Sequence, residues 1–145
     1  MRLSLKEQLV GDARERYTAA GYPRAARVRV VWCWDHDTWD EGGRTVACCL
    51  VGEKKKEIWL SPRLEDFPRS TQEAIIAHEF GHAVQAFYTG LPKGHDACER
   101  GADIIAESVY GKRVFYAPAD RYDERLLQTF RESAGSVRPR PAGLR

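Results

Sequence analysis

The residues of this chain whose types and spacing best suit chemistry lie in one short apolar stretch, residues 75–84. This stretch contains the spacing His-Glu-x-x-His at positions 78–82. Residues four apart on an α-helix share a face, so His78 and His82 can direct imidazole nitrogens at one metal ion. Glu79 can reach a water at that ion without occupying a coordination position. Two ligands, an open position and a proton-accepting carboxylate suit zinc-dependent hydrolysis, with a zinc-activated water as nucleophile.

A third zinc ligand must come from elsewhere, because catalytic zinc usually has three protein ligands. Two candidates follow the motif, His95 in an expected loop and Glu99 on the next expected helix. Glu99 and Asp103 are four residues apart and share a helix face, so Glu99 can bind the ion while Asp103 accepts the outer N–H of a ligand histidine. His95 could instead be the ligand, a donor to the transition state or an ordinary surface histidine. The spacing favours Glu99.

A glycine inside the motif adds a structural expectation. Gly81 lies in the middle of the predicted helix, where glycine costs about 1 kcal/mol relative to alanine. We therefore expect another part of the chain to require the absence of a side chain there.

Other helices and strands must position these residues, and the sequence patterns predict an α+β domain with an N-terminal helix, a three-stranded sheet and two site helices. In chain order, the hydrophobic patterns predict a helix over 4–20, strands over 27–34, 45–51 and 57–60, a helix from a Ser70 capping box to about Tyr88, a helix over 96–110 ended by Gly111, and a last helix over 121–133. We expect residues 1–134 to form a single domain. Residues 135–145 have little to bury and are expected to be a mobile tail.

Composition excludes several classes of function. The 23 basic and 21 acidic residues leave a net charge of +2, too balanced to predict nucleic-acid binding. No stretch approaches the roughly 18 apolar residues of a membrane-spanning helix, and the N-terminus lacks an apolar signal core. The four cysteines, Cys33, Cys48, Cys49 and Cys98, form no Cys-x-x-Cys pair. This usage favours reduced thiols in a cytoplasmic protein, and it leaves the oligomeric state open.

The two motifs together resemble a known family. His-Glu-x-x-His at 78–82, followed by Glu-Arg-Gly-Ala-Asp-Ile-Ile-Ala at 99–106, is similar to the gluzincin pattern HExxH then ExxADxxA. The chain resembles the small single-domain minigluzincins and the metallopeptidase domains of ImmA/IrrE type, over roughly residues 45–110. The resemblance implies a metallopeptidase in which His78, His82 and Glu99 bind one zinc ion and Glu79 is the general base.

The same resemblance implies where a substrate would bind. In zincin-like domains of this kind, an edge strand ahead of the HExxH helix lies along the active-site cleft, and residues 57–62 occupy that place in the sequence. Extended peptides can add to such an edge by backbone pairing. We therefore expect a peptide or unfolded protein substrate to lie along Ile58, Trp59 and Leu60.

Two other interpretations stay open. Twelve residues separate His82 from His95, close to the spacing in SprT-like proteases, which act on DNA-bound proteins. That resemblance would make His95 the third ligand, but it leaves the Ala102-Asp103 pair unexplained and no basic zinc ribbon follows. The second alternative, from a different class, is a catalytically silent regulator that keeps the fold and the zinc.

Overall fold

The computed structural model describes residues 2–32, 47–51 and 56–112 of the 145-residue chain. In chain order these residues form α1 (Leu5–Ala19), α2 (Pro23–Ala26), β1 (Arg29–Trp32), β2 (Ala47–Val51), β3 (Lys56–Leu60), a 3₁₀ turn (Pro62–Asp66), α3 (Arg69–Val84), a π-helical turn (Gln85–Thr89) and α4 (His95–Tyr110). The predicted α+β class is confirmed. The start of the strand predicted over 27–34 is wrong, because the chain first forms the short helix α2 and pairs only from Arg29.

Helix α1 packs against α3, the helix that carries the histidine motif. Its first turn is capped by Ser4, whose hydroxyl oxygen accepts a hydrogen bond from the Glu7 backbone N–H at 3.3 Å. Gly21, with φ of 95°, turns the chain after the helix, close to the predicted end. The fully buried Tyr17 donates its hydroxyl hydrogen to the Ala77 carbonyl oxygen at 2.7 Å. This bond fixes α1 directly to the part of α3 that carries the histidine motif.

Strand β3 lies in the centre of the sheet, between β1 and β2. It pairs in parallel with β1 and antiparallel with β2. The prediction that Ile58, Trp59 and Leu60 form an edge strand is therefore wrong. The physical reason is that β2 pairs antiparallel with one edge of β3, which leaves the other edge for β1, and the nearly complete burial of Ile58 and Leu60 fits this central position. Among the described strands, the outer edges of the sheet belong to β1 and β2.

Helix α3 begins two residues earlier than the predicted capping box requires. Pro68 is the N-cap residue and has no side-chain capping bond, so the prediction that Ser70 caps the helix is wrong. Ser70 lies inside the first turn because the helix already starts at Arg69. The nearby Gln72 side chain instead donates to the Phe67 carbonyl oxygen at 2.8 Å.

The far ends of the two site helices follow the glycine signals in the sequence. Helix α3 passes into the π-helical turn, which ends at Gly90 with φ of 82°. Helix α4 ends at Gly111, which adopts the left-handed conformation with φ of 69°. The predicted stop at Gly111 is confirmed.

Helices α3 and α4 approach closely at Gly81. A Cβ atom at this position would overlap the carbonyl oxygen of Ala102 on α4. The expectation that another part of the chain requires the absence of a side chain at Gly81 is confirmed. The close approach brings the two motif-bearing helices together and so determines the geometry of the site.

Several sequence predictions fall outside the described residues. These are the last helix over 121–133, the domain boundary at 134 and the mobile tail over 135–145. Within the described ranges, no helix combines the length and apolar character needed to cross a membrane.

Candidate metal centre

Three buried side chains of α3 cluster on the side that faces α4. Counted over the whole residue, His78, Glu79 and His82 are 1%, 3% and 7% exposed. Their potential ligand atoms all lie within 4.8 Å of one another, and the two imidazole rings are nearly perpendicular with centroids 4.6 Å apart. The structure thus brings together the three residues of the predicted motif, as expected from their spacing on one helix.

Glu99 of α4 reaches both histidines with one carboxylate. Its Oε2 atom lies 2.8 Å from His78 Nε2, and its Oε1 atom lies 3.2 Å from His82 Nε2. Of the two candidates for a third ligand, the structure therefore places Glu99 at the histidines. The backbone of His95 begins α4, but its side chain lies outside what the structure describes.

The outer nitrogen of His78 has the partner that the sequence predicted. His78 Nδ1 lies 2.7 Å from the Oδ1 atom of Asp103, which is completely buried between α3 and α4. A carboxylate oxygen accepts, so the imidazole donates from Nδ1. This bond orients the ring and leaves Nε2 turned towards Glu99.

The outer nitrogen of His82 has a partner that sequence reasoning missed. His82 Nδ1 lies 2.8 Å from the Oε1 atom of Gln85, a residue that is 1% exposed. Spacing could have revealed this pair, because residues three apart on a helix are neighbours and Gln85 follows His82 by three positions.

The four inner atoms of the cluster are all potential acceptors. With both Nδ1 atoms donating outwards, each neutral imidazole presents the Nε2 lone pair to a Glu99 oxygen. A proton or a metal cation must lie between such atoms to hold them together. Imidazole nitrogen and carboxylate oxygen are common zinc ligands, so the donor set fits zinc.

The proton affinity of His78 reflects the same arrangement. Burial lowers its pKa, but hydrogen bonds to Asp103 and Glu99 outweigh that effect and raise the pKa to about 10. For Glu99, burial raises the pKa, but hydrogen bonds with His78 and His82 outweigh that effect and hold the pKa well below its usual range. The pair therefore strongly favours positive charge between the imidazoles and the carboxylate.

Glu79 occupies a different electrostatic environment from Glu99. Burial raises the pKa of its carboxyl group, and the nearby His78 and His82 oppose this rise only in part. A raised pKa makes the Glu79 carboxylate a stronger base than an ordinary exposed glutamate.

Cys98 approaches the cluster from its outer side. Its Sγ atom lies 3.6 Å from His82 Nδ1 and 3.4 Å from Gln85 Oε1, not on the Nε2 side that faces Glu99. Burial and the nearby Glu99 and Glu79 carboxylates raise the pKa of the thiol, so it stays protonated and can donate to Gln85. Cys98 is therefore not part of the inner donor set.

Comparisons with protein-family models, with curated proteins and with solved structures find no match to this chain. The likeness to gluzincins consequently rests on the two sequence motifs.

Proposed function

We propose that this protein is a zinc-dependent metallopeptidase in which His78, His82 and Glu99 bind one zinc ion. The observation that carries the proposal is the convergence of two imidazole Nε2 atoms on one carboxylate, beside the buried Glu79. Two histidines and a glutamate form a known ligand set for catalytic zinc, which keeps a further position open for water or substrate.

The residues of the cluster have different roles in the proposed peptide hydrolysis. Bound zinc would supply polarisation of the substrate carbonyl and a lower pKa for water. Glu79 takes a proton from the attacking water and passes it to the leaving amine, so that water is added across the C–N bond. Asp103 holds the His78 ring in position throughout.

The surroundings of the site support a compact zincin-like arrangement. A helix with the two histidines packs on a helix with the glutamate, and a small sheet lies beside them. Since β3 is paired on both sides, we place the extended peptide substrate along the outer edge of β2, which lies against α3. The free thiol of Cys98 is compatible with a reducing compartment such as the cytoplasm.

The variant Glu79→Gln tests this function. Glutamine keeps the shape of the side chain but cannot accept the proton, so we expect normal zinc content and hydrolysis slower by roughly 10²–10⁴-fold. The measurement is cleavage of an unfolded protein and of a mixed peptide library by parent and variant, each loaded with zinc and quantified for bound metal.

Two results would contradict the proposal in different ways. Cleavage by Glu79→Gln at the parental rate would remove Glu79 as the base and leave the ligands in place. A fully zinc-loaded parent that cleaves none of the unfolded substrates would favour a catalytically silent zinc-binding regulator.

A further inference from the structure

Gln85 is one of the most deeply buried polar side chains among the described residues, at 1% exposure. It is the first residue of the π-helical turn that continues α3, three positions after His82 and on the same helix face. Burial of an amide is costly unless both its donor and its acceptor are satisfied. The partners of its two ends therefore determine what Gln85 does.

The donor end of the amide fixes its orientation. Gln85 Nε2 donates to the backbone carbonyl oxygen of Cys98 at 3.0 Å, and a carbonyl oxygen can only accept. A rotated amide would place two acceptors against each other at this point. The Oε1 atom must therefore face His82, where it also accepts from the Cys98 thiol.

Helix α4 leaves room for the amide in this orientation. A Cβ atom on Gly101 would come within 2.8 Å of Gln85 Nε2. The bare backbone at Gly101 thus lets the amide lie against α4 and reach the Cys98 carbonyl group.

We propose that Gln85 is a positioning residue for His82, an inference that rests on the proposed zinc site. Its Oε1 atom keeps the proton of the neutral imidazole on Nδ1 and leaves the Nε2 lone pair turned towards Glu99. The amide does for His82 what Asp103 does for His78, although it carries no charge. Zinc affinity should therefore depend on the acceptor end of Gln85.

A purely structural role is the rival explanation, in which Gln85 only ties the end of α3 to α4 through Cys98. Substitution separates the two ends. Gln85→Glu keeps an acceptor for His82 and loses the donor to Cys98. Gln85→Met keeps a similar length and loses both.

The first measurement is zinc affinity, by competition with a chelator. We expect Gln85→Met to bind zinc about 10–100-fold more weakly than the parent, and Gln85→Glu, which keeps an acceptor for His82, to bind zinc at least as tightly as the parent. Equal weakening of both variants would show that the tie to Cys98 matters and would overturn the proposal. Parental affinity in Gln85→Met would also overturn it. If His82→Ala loses zinc in the same assay, the zinc site itself survives either result.

The second measurement needs no metal. In the Glu99→Ala background the Glu99 carboxylate no longer faces His82 Nε2, so the 2.8 Å contact with Gln85 becomes the main influence on which nitrogen of the neutral ring carries the proton. Imidazole nitrogen chemical shifts should show the Nδ1–H form of His82, and adding Gln85→Met should shift the ring to the Nε2–H form. An unchanged tautomer would overturn the proposal even if zinc binding and hydrolysis were established.

Discussion

The two halves of the site hold their histidines in different ways. In the His78 half, the imidazole donates to the Asp103 carboxylate, and the His78 side chain is 1% exposed. In the His82 half, the imidazole donates to the neutral Gln85 amide, and the His82 side chain is 10% exposed. An anionic partner makes an imidazole a stronger base and ligand, whereas a neutral partner mainly orients it.

The halves also differ in what supports them. Asp103 comes from α4, so the geometry of the His78 half depends on how α3 and α4 pack. Gln85 directly continues α3, so local helix geometry places it beside His82, and α4 contributes the Cys98 carbonyl group that orients the amide. Glu99 joins the two halves, because its carboxylate meets both inner nitrogens.

Removal of the shared group should have the largest effect. Glu99→Ala takes away the carboxylate that both halves face, so we expect it to lose zinc strongly when bound metal is measured after dialysis. His95→Ala should keep zinc and at most slow turnover. The reverse order would overturn the Glu99 assignment and favour the SprT-like alternative with His95 as the ligand.

A matched control in the same assay tests whether a cysteine binds the zinc instead. Cys98→Ser keeps a donor towards Gln85 Oε1 and lies outside the inner donor set, so zinc should stay bound. Loss of zinc in Cys98→Ser with retention in His82→Ala would move the metal away from the proposed centre.

The pH dependence of stability should report the His78 half. The pKa of His78 rises from 6.5 to about 10 on folding, so its contribution to stability is complete below about pH 6.5 and is lost as pH rises through about 10. Urea unfolding of the protein treated with chelator should show a free energy of unfolding that falls over this window. His78→Ala should largely remove this dependence, and an unchanged pH profile in that variant would contradict the assignment.

Asp103→Asn should make the two halves alike. It replaces the anionic partner of His78 by a neutral amide of similar shape, so we expect zinc affinity or activity to fall by about 10–100-fold. Chelator competition measures the zinc affinity of Asp103→Asn and of Gln85→Met in the same assay, so that the two losses can be compared. An Asp103→Asn variant with parental affinity would show that the charge of the partner does not distinguish the halves.

Sequence predicted the parts of the site that follow from spacing within one helix. His78 and His82 share a face of α3, and Glu99 and Asp103 share a face of α4, whatever the rest of the chain does. Spacing within α3 could have revealed that Gln85 neighbours His82, but the orientation of its amide depends on a contact with the other helix and could not be predicted.

The order of the strands in the sheet could not be predicted from the sequence for a similar reason. The position of β3 depends on parallel pairing between residues 29–32 and 57–60, which are distant in sequence. Hydrophobic alternation identifies a strand, but it does not specify which neighbours the strand pairs with. The prediction of a substrate-binding edge failed at this step, while the strand itself was predicted to within one residue.

The close contact between α3 and α4 gives the last and smallest expected effect. Gly81→Ala would bring a Cβ atom against the Ala102 carbonyl group, so the helices must shift and the protein should lose about 1–3 kcal/mol of stability. Gly11→Ala is the matched control, because it also lies in a helix but would meet no atom within 4 Å, and it should stabilise the protein by up to about 1 kcal/mol.

Imidazole nitrogen shifts and chelator competition on the same two variants then compare the effect on the His78 half with the effect on the His82 half. A shift of α4 moves Asp103 relative to α3, whereas Gln85 lies on the same continuous helix as His82. Gly81→Ala should therefore lengthen the Asp103–His78 contact more than the Gln85–His82 contact. Imidazole nitrogen shifts should accordingly change more at His78 than at His82, and zinc affinity should fall in Gly81→Ala but not in Gly11→Ala. Equal stability of the two variants would show that the helix contact at Gly81 is not required, and equal changes at both rings would show that the halves share one support.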